Sequence, residues 1–376
     1  MLPFPIISNT KSSPVYPKNI KKFVSSSTAL LYLTVNGNLY GAGANVMGEL
    51  GSSGAKPQFI LIRSGVRDVF ASLSSASVIV MDSDGKVMFS GNSGIYTGSS
   101  SPTNAFVNIT TMFSSASISL LDIKTIDLYS NSKINVLMND GRLFCSGKNN
   151  ISAITSFGDG TNTDSFNAFR FIRNNVLSVN GNYILDDNNN LYGCGTNTYS
   201  QLSSSVSSSG SSTFVLLSTG VTIIQAGVRS IFCIKGGLLY IMGSSLGIYG
   251  EFGDGSTSAV TYSTLTNIVQ AGSGITQLVQ NVGNLLTHLH NSSGYMNTGN
   301  GVTGQLGRGS AGVVYTFGLV PNITVPSTAT IFSCNLNTYI VYEDNSLVAC
   351  GGVNGGFNVT PSSNVLTFQP ITLVTV

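Results

Sequence analysis

At 376 residues the chain could hold two or three ordinary domains or one long repeat fold, and 42% hydrophobic residues provide ample material for a core. Charged residues make up only 9%, against roughly 25% in ordinary soluble domains, and the net charge is +2. Such weak long-range electrostatics argue against nucleic acid or an anionic membrane as the main partner, and the even spread of apolar residues argues against disorder.

In chain order, residues 1–17 read as an extended arm stiffened by Pro3, Pro5, Pro14 and Pro17. Lys11, Lys18, Lys21 and Lys22 fall in the first 22 residues, and no acidic residue occurs before Glu49. These lysines are candidate partner-binding residues, since a basic, extended segment can dock by strand addition or in a groove. A solvated tail, or an outer strand of a closing sheet, explains them equally well. The start MLPFPIISNTKSS lacks a basic region and a long apolar core, so synthesis in the cytoplasm without a signal peptide is expected. No run of eighteen apolar residues occurs, so no spanning helix is expected.

From residue 35 onward one pattern recurs: VNGNLYGAG, SDGKVMFSG, NDGRLFCSG, NNNLYGCG, GGLLYIMG, SSGYMNTG and DNSLVACG. The seven copies end at Gly43, Gly91, Gly147, Gly195, Gly243, Gly299 and Gly351, at intervals of 48, 56, 48, 48, 56 and 52 residues. Register holds residue by residue. Leu39, Val87, Leu143, Leu191, Leu239, Tyr295 and Leu347 form one apolar column, and Leu33, Met81, Leu137, Leu185, Cys233, Leu289 and Val341 another. Between the columns lie pairs such as Asn36-Gly37, Asp84-Gly85 and Gly236-Gly237, which predict tight type I′ hairpins with positive φ at both residues.

A further strand is predicted before each hairpin, in VRDVFAS, IKTIDLYS, VTIIQAG, LTNIVQAG and TATIFSC. A fourth follows, in PQFILIR, NAFVNIT, STFVLLS and YTFGLVP. Four short strands with two apolar faces cannot stand alone, and radial repetition buries both faces. The predicted fold is therefore all-β: one seven-bladed β-propeller of four-stranded antiparallel blades over residues 18–376, its ring closed by the N- and C-terminal segments sharing a blade. The glycines do not form a phosphate loop, because a strand pattern rather than an amphipathic helix follows Gly51.

The endings GANVMGELGSSG (43–54) and GNGVTGQLGRGS (299–310), with weaker GTNTYSQLSSS and YGEFGDGSTS, resemble the regulator of chromosome condensation repeat family. The resemblance covers nearly the whole chain and implies a seven-bladed propeller. The chain departs from the family in having no tryptophan and no histidine ahead of the hairpin strands in VFASLSSASVIV and IIQAGVRSIFCI.

Candidate chemistry is sparse. His288 and His290 share a strand face and could share a metal ion, but the equivalents of His288 are Tyr32, Val80, Val136, Ile184, Phe232 and Ile340, a core column. Five cysteines form no Cys-x-x-Cys, and Cys194, Cys233 and Cys350 sit at repeat positions that suit small buried hydrophobes. The segment GDGTNTD (158–164) lacks calcium-loop spacing and reads as turn chemistry. No catalytic, cofactor-binding or metal-binding residue is nominated.

Three functions are expected, in descending order. The first is a non-catalytic interaction or structural propeller whose partners are other proteins, as part of a multi-copy assembly such as a viral particle. The second is guanine-nucleotide exchange on a small GTPase, which the family resemblance implies and for which the long intervals 91–147 and 243–299 leave room for a projection. The third is glycan binding through Asn-, Tyr- and Ser-rich loops.

Overall fold

The computed structural model describes residues 19–92, 101–150, 155–227, 229–281, 285–334, 336–352, 363–371 and 373. The predicted arm at residues 1–17, with Lys11, and also Lys18 lie outside them. The described residues form seven four-stranded antiparallel sheets, each contiguous in sequence: residues 20–63, 66–108, 123–173, 176–218, 221–267, 277–319 and 330–371, numbered here as blades 1 to 7.

The first strands of the blades are Ile20–Ser25, Val66–Ala71, Ile123–Tyr129, Val176–Asn180, Val221–Ala226, Gln277–Asn281 and Thr330–Cys334. Each touches the first strands of both neighbours, and the strand of blade 7 touches that of blade 1. This cycle makes the first strands the inner wall of a closed ring and leaves the fourth strands on the outside. Burial follows the same order: the second strand Ala29–Thr34 is buried throughout, whereas the fourth strand Lys56–Arg63 is largely open. Both apolar columns read from the sequence are buried in all seven blades.

The expected shared blade is not formed. Blade 1 takes all four strands from the N-terminal side and blade 7 all four from the C-terminal side. Closure comes from side chains instead: Leu30, Tyr32 and Tyr40 pack with Cys334, Tyr339 and Ala349. The residues after Gly351 suffice for a complete fourth strand, Val365–Ile371, so none needs to be borrowed.

The hairpins also differ from expectation. In five blades a three-residue loop carries a single positive-φ residue, namely Gly37, Gly85, Gly141, Asn189 or Asn345, with its N–H donating to the carbonyl three residues back. This is a type I turn followed by one left-handed residue, the usual form of three-residue hairpin loops. Only blade 5 has the two-residue loop with both residues, Gly236 and Gly237, at positive φ. The predicted strand LTNIVQAG is likewise displaced. Its first residues end the outer strand Thr261–Asn267, Val269–Ala271 form a 3-10 turn, and the inner strand begins at Gln277. Ile268 and Ala271 make this stretch look strand-like because they bury against Phe317 and Leu278.

The repeat glycines have a steric cause. All seven have φ between +95° and +143°. At Gly351 a Cβ would lie 2.1 Å from the carbonyl oxygen of Leu336, at the start of the adjoining strand. Third and second strands therefore approach more closely than any side chain permits.

Candidate interaction face

The ring has two faces, and exposed apolar side chains occur on both. One, the turn face, carries the hairpin turns and the connections between blades. The other, the loop face, carries the connections from first to second and from third to fourth strands. Charge gathers on the turn face, where Asp84 pairs with Lys86 at 2.7 Å, Asp140 with Arg142 at 2.7 Å, and Arg63 with Asp82 at 2.5 Å. Hydrogen bonding to its partner holds each of the Asp84 and Asp140 carboxyls below the usual carboxylate range.

On the loop face the repeated ending builds a rigid loop. In blade 1, Asn45 Oδ1 accepts from Leu50 N–H at 2.9 Å while its Nδ2 donates to the carbonyls of Ser52 (2.6 Å) and Gly54 (2.9 Å). Glu49 accepts from Met47 N–H at 3.1 Å and from the Thr28 hydroxyl. Blade 4 repeats this, with Leu202 N–H on Asn197 Oδ1 at 2.7 Å and Tyr199 N–H on Gln201 Oε1 at 2.9 Å. In blade 6, Thr303 N–H donates to Gln305 Oε1 at 2.9 Å.

The next blade locks each loop from behind. Ser90 donates to Gly48 O at 2.6 Å, Thr298 to Gly250 O at 2.9 Å, and Thr338 to Gln305 O at 2.7 Å. A loop pinned this way presents its two tip residues in a fixed pose: Val46-Met47, Thr198-Tyr199, Ile248-Tyr249 and Val302-Thr303. The leading residue is exposed in each pair, with Val46 at 64%, Ile248 at 59% and Val302 at 51%. None of these eight is charged. The tips are uncharged, with the Arg229 guanidinium 4.4 Å from the centre of the Tyr199 ring, and apolar and aromatic groups held rigidly are the chemistry of a protein-binding surface. Sequence reading missed the tips, although the two residues ahead of the endings Gly-Glu-Leu-Gly, Ser-Gln-Leu-Ser, Gly-Glu-Phe-Gly and Gly-Gln-Leu-Gly mark them.

The residues nominated from sequence fall elsewhere. Lys21 and Lys22 lie on the inner strand of blade 1 toward the turn face. Lys22 pairs with Asp68 at 2.8 Å and sits 4.2 Å from the centre of the Phe70 ring. Lys21 donates to Arg67 O at 2.6 Å. His288 and His290 do not converge: His288 Nδ1 lies 2.8 Å from Tyr295 Oη, and His290 Nε2 lies 2.8 Å from Val325 O. Burial pushes the His288 imidazole down to about 3.

All five cysteines are buried and free. Burial raises the Cys145 and Cys233 thiols to about 12 and Cys194 to about 11, so they remain un-ionised. In the 158–164 segment, Asp159 is bound by Arg170 at 2.7 Å and Asn149 at 3.1 Å, so the guanidinium supplies the positive charge there. Among the described residues no group of three His, Cys, Asp or Glu side chains is placed to hold a metal ion, and no helix is long and apolar enough to cross a membrane.

Of the two long intervals expected to leave room for a projection, 91–147 carries its extra described residues between blades 2 and 3, with Leu121 78% exposed. They include helix α1 (Thr110–Ser115), whose Met112 and Phe113 bury against Phe169 and Phe89.

No protein-family model matches the chain, and no curated protein matches it by sequence. Among solved structures it is similar to Prp20p of Saccharomyces cerevisiae, at 17% identity over 83% of this chain and 79% of that one, with a TM-score of 0.60. The same yeast protein, there called RCC1 and bound to Kap60, aligns at 15% identity over 94% and 74%, with a TM-score of 0.49. Human WBSCR16 aligns at 12% identity over 94% and 82%, with a TM-score of 0.52. The fold is a divergent RCC1-like propeller. At these identities the likeness concerns the fold alone.

Proposed function

We propose that this chain is a non-catalytic protein-interaction propeller whose loop face docks a partner with an uncharged, largely apolar surface, within a multi-copy assembly such as a viral particle. The observation that carries the docking face is the repeated rigid loop with its bare apolar tip at Val46, Ile248 and Val302. The assembly reading is supported by the low charge of the chain, which limits repulsion between copies packed closely. The likeness to Prp20p, a protein that binds Gsp1p and histones, supports a protein partner. The test is co-purification with native material, comparing the parent chain with Val46→Asp/Ile248→Asp/Val302→Asp. Loss of the co-purifying partner with unchanged thermal melting is expected. Partner retention by the triple variant, or a parent chain that stays monomeric with nothing bound, overturns the reading.

The second reading, guanine-nucleotide exchange on a small GTPase, is favoured by the same structural likeness. A nucleotide-release assay with candidate GTPases separates the two readings.

A further inference from the structure

At the turn-face end of the inner wall, five consecutive blades carry a β-bulge at the same place in the first strand. The bulged residues are Lys21, Arg67, Lys124, Leu177 and Thr222. A bulge re-aims a side chain out of the ladder and is common at rims and binding sites. Here it brings three cations, from blades 1, 2 and 3, to adjacent positions around the ring axis.

Each cation is tied forward along the ring, Lys21 and Lys124 to the next blade and Arg67 to the connection that leads into it. Lys21 Nζ donates to Arg67 O at 2.6 Å, the Arg67 guanidinium to Leu120 O at 3.0 Å, and Lys124 Nζ to Leu177 O at 2.7 Å. The ties hold the charges apart, one per blade, and leave each group further donors. Lys22 adds a fourth cation but is neutralised by Asp68, and the exposed Asp122 precedes the Lys124 strand. At the blade 1 end the arc opens into a cleft of about 250 Å³ lined by Lys21, Lys22, Phe23, Thr330 and Phe332, with Glu343 on the outer wall.

We propose that this arc binds an acidic peptide segment of a partner protein, with successive carboxylates on Lys21, Arg67 and Lys124. Cations that do not converge on one centre fit a chain of negative charges better than a single compact anion. A nucleic acid is disfavoured by the outer hairpins of the same face, where Asp187, Glu343 and Asp344 stand exposed. A long polyanion would have to cross them, whereas a short peptide reaching the axis does not. The site lies on the face opposite the loop tips and is independent of the docking proposed there.

The test is fluorescence anisotropy of a labelled twelve-residue poly-glutamate peptide at low salt with the full chain. A twelve-nucleotide single-stranded DNA serves as competitor. Lys21→Gln/Arg67→Gln/Lys124→Gln is compared with Lys56→Gln/Lys86→Gln/Lys235→Gln, which removes the same charge elsewhere. Circular dichroism confirms that both are folded. At least a tenfold weakening is expected in the first triple variant and less than twofold in the second. Equal weakening in both, absence of peptide binding to the parent, or tighter binding of the DNA than of the peptide overturns the proposal.

Discussion

Gly243 tests the reasoning about the repeat most directly. Its φ is +117°, and a Cβ there would lie 2.2 Å from Arg229 O and 2.6 Å from Ser230 Cα, both backbone atoms of the paired second strand. Gly54 separates conformation from contact, since its φ of +76° is also left-handed but a Cβ there meets nothing within 4 Å. Forcing alanine into such a backbone costs about 1–3 kcal/mol, and prising apart two packed strands adds about 1–3 kcal/mol. Gly243→Ala should therefore destabilise by about 4 kcal/mol and Gly54→Ala by about 1 kcal/mol. At the usual unfolding entropy per residue, a chain of this length loses about 5 °C and about 1 °C in Tm respectively. Differential scanning calorimetry of the two variants and the parent decides it. Equal shifts would show that φ alone selects glycine and that the close approach of the strands carries no cost.

Lys133 is 1% exposed and donates to Ser156 O and Gly181 O at 2.8 Å and to Asn182 Oδ1 at 3.0 Å. Lys133→Met strands these acceptors at the interface of blades 3 and 4, and chemical denaturation should show a loss of about 3 kcal/mol. The buried His288 has its folded pKa depressed to about 3, first by burial and then by the nearby Arg308 charge. The unfolded chain thus takes up a proton that the folded chain refuses, so stability is full above about pH 6.5 and falls as the pH drops toward 3. From pH 7 to pH 5 the contribution is a loss of about 2 kcal/mol, which His288→Gln should remove. Asp127 and Glu251, raised by burial, act with the opposite sign and are common to both proteins, so the difference between the two pH profiles isolates His288.

The ring was legible because the repeat is written in buried columns. A position such as Leu39 or Leu33 tolerates only apolar residues in every blade, so seven copies align without gaps. Hairpin geometry was less legible, since Asn36-Gly37 suits both a two-residue and a three-residue loop. The choice depends on strand pairing further along, where Thr34 rather than Val35 bonds Asn38. The inner strand at Gln277 was hidden by a buried spacer that mimics a strand in composition. The loop tips and the bulged cations Arg67 and Lys124 were missed for a shared reason, whereas Lys21 was nominated as part of the basic N-terminal run. Solvent-facing positions vary freely from blade to blade, so Val46 answers to Thr198 and Lys124 to Leu177, and no apolar column runs through them.

A ring built from seven self-contained blades has no strand to staple its last joint, and the packing at that joint shows how it holds. Tyr32 is fully buried there, stacked on Tyr40 at 5.0 Å and tilted against Phe59 at 5.2 Å and Phe23 at 5.9 Å. Phe23 in turn reaches Phe332 of blade 7 at 6.3 Å, and Tyr339 buries in the same cluster. Ring pairs in these geometries contribute about 0.5–1.5 kcal/mol each beyond the area they bury. Together with the apolar neighbours they give the seam the same kind of hold that Phe89, Phe113 and Phe169 give the joint of blades 2 and 3. The joint between the chain's two ends is therefore an ordinary blade interface. At the other joint of blade 1, Lys22 is half-buried beside Phe70 of blade 2 and paired with Asp68 rather than left bare.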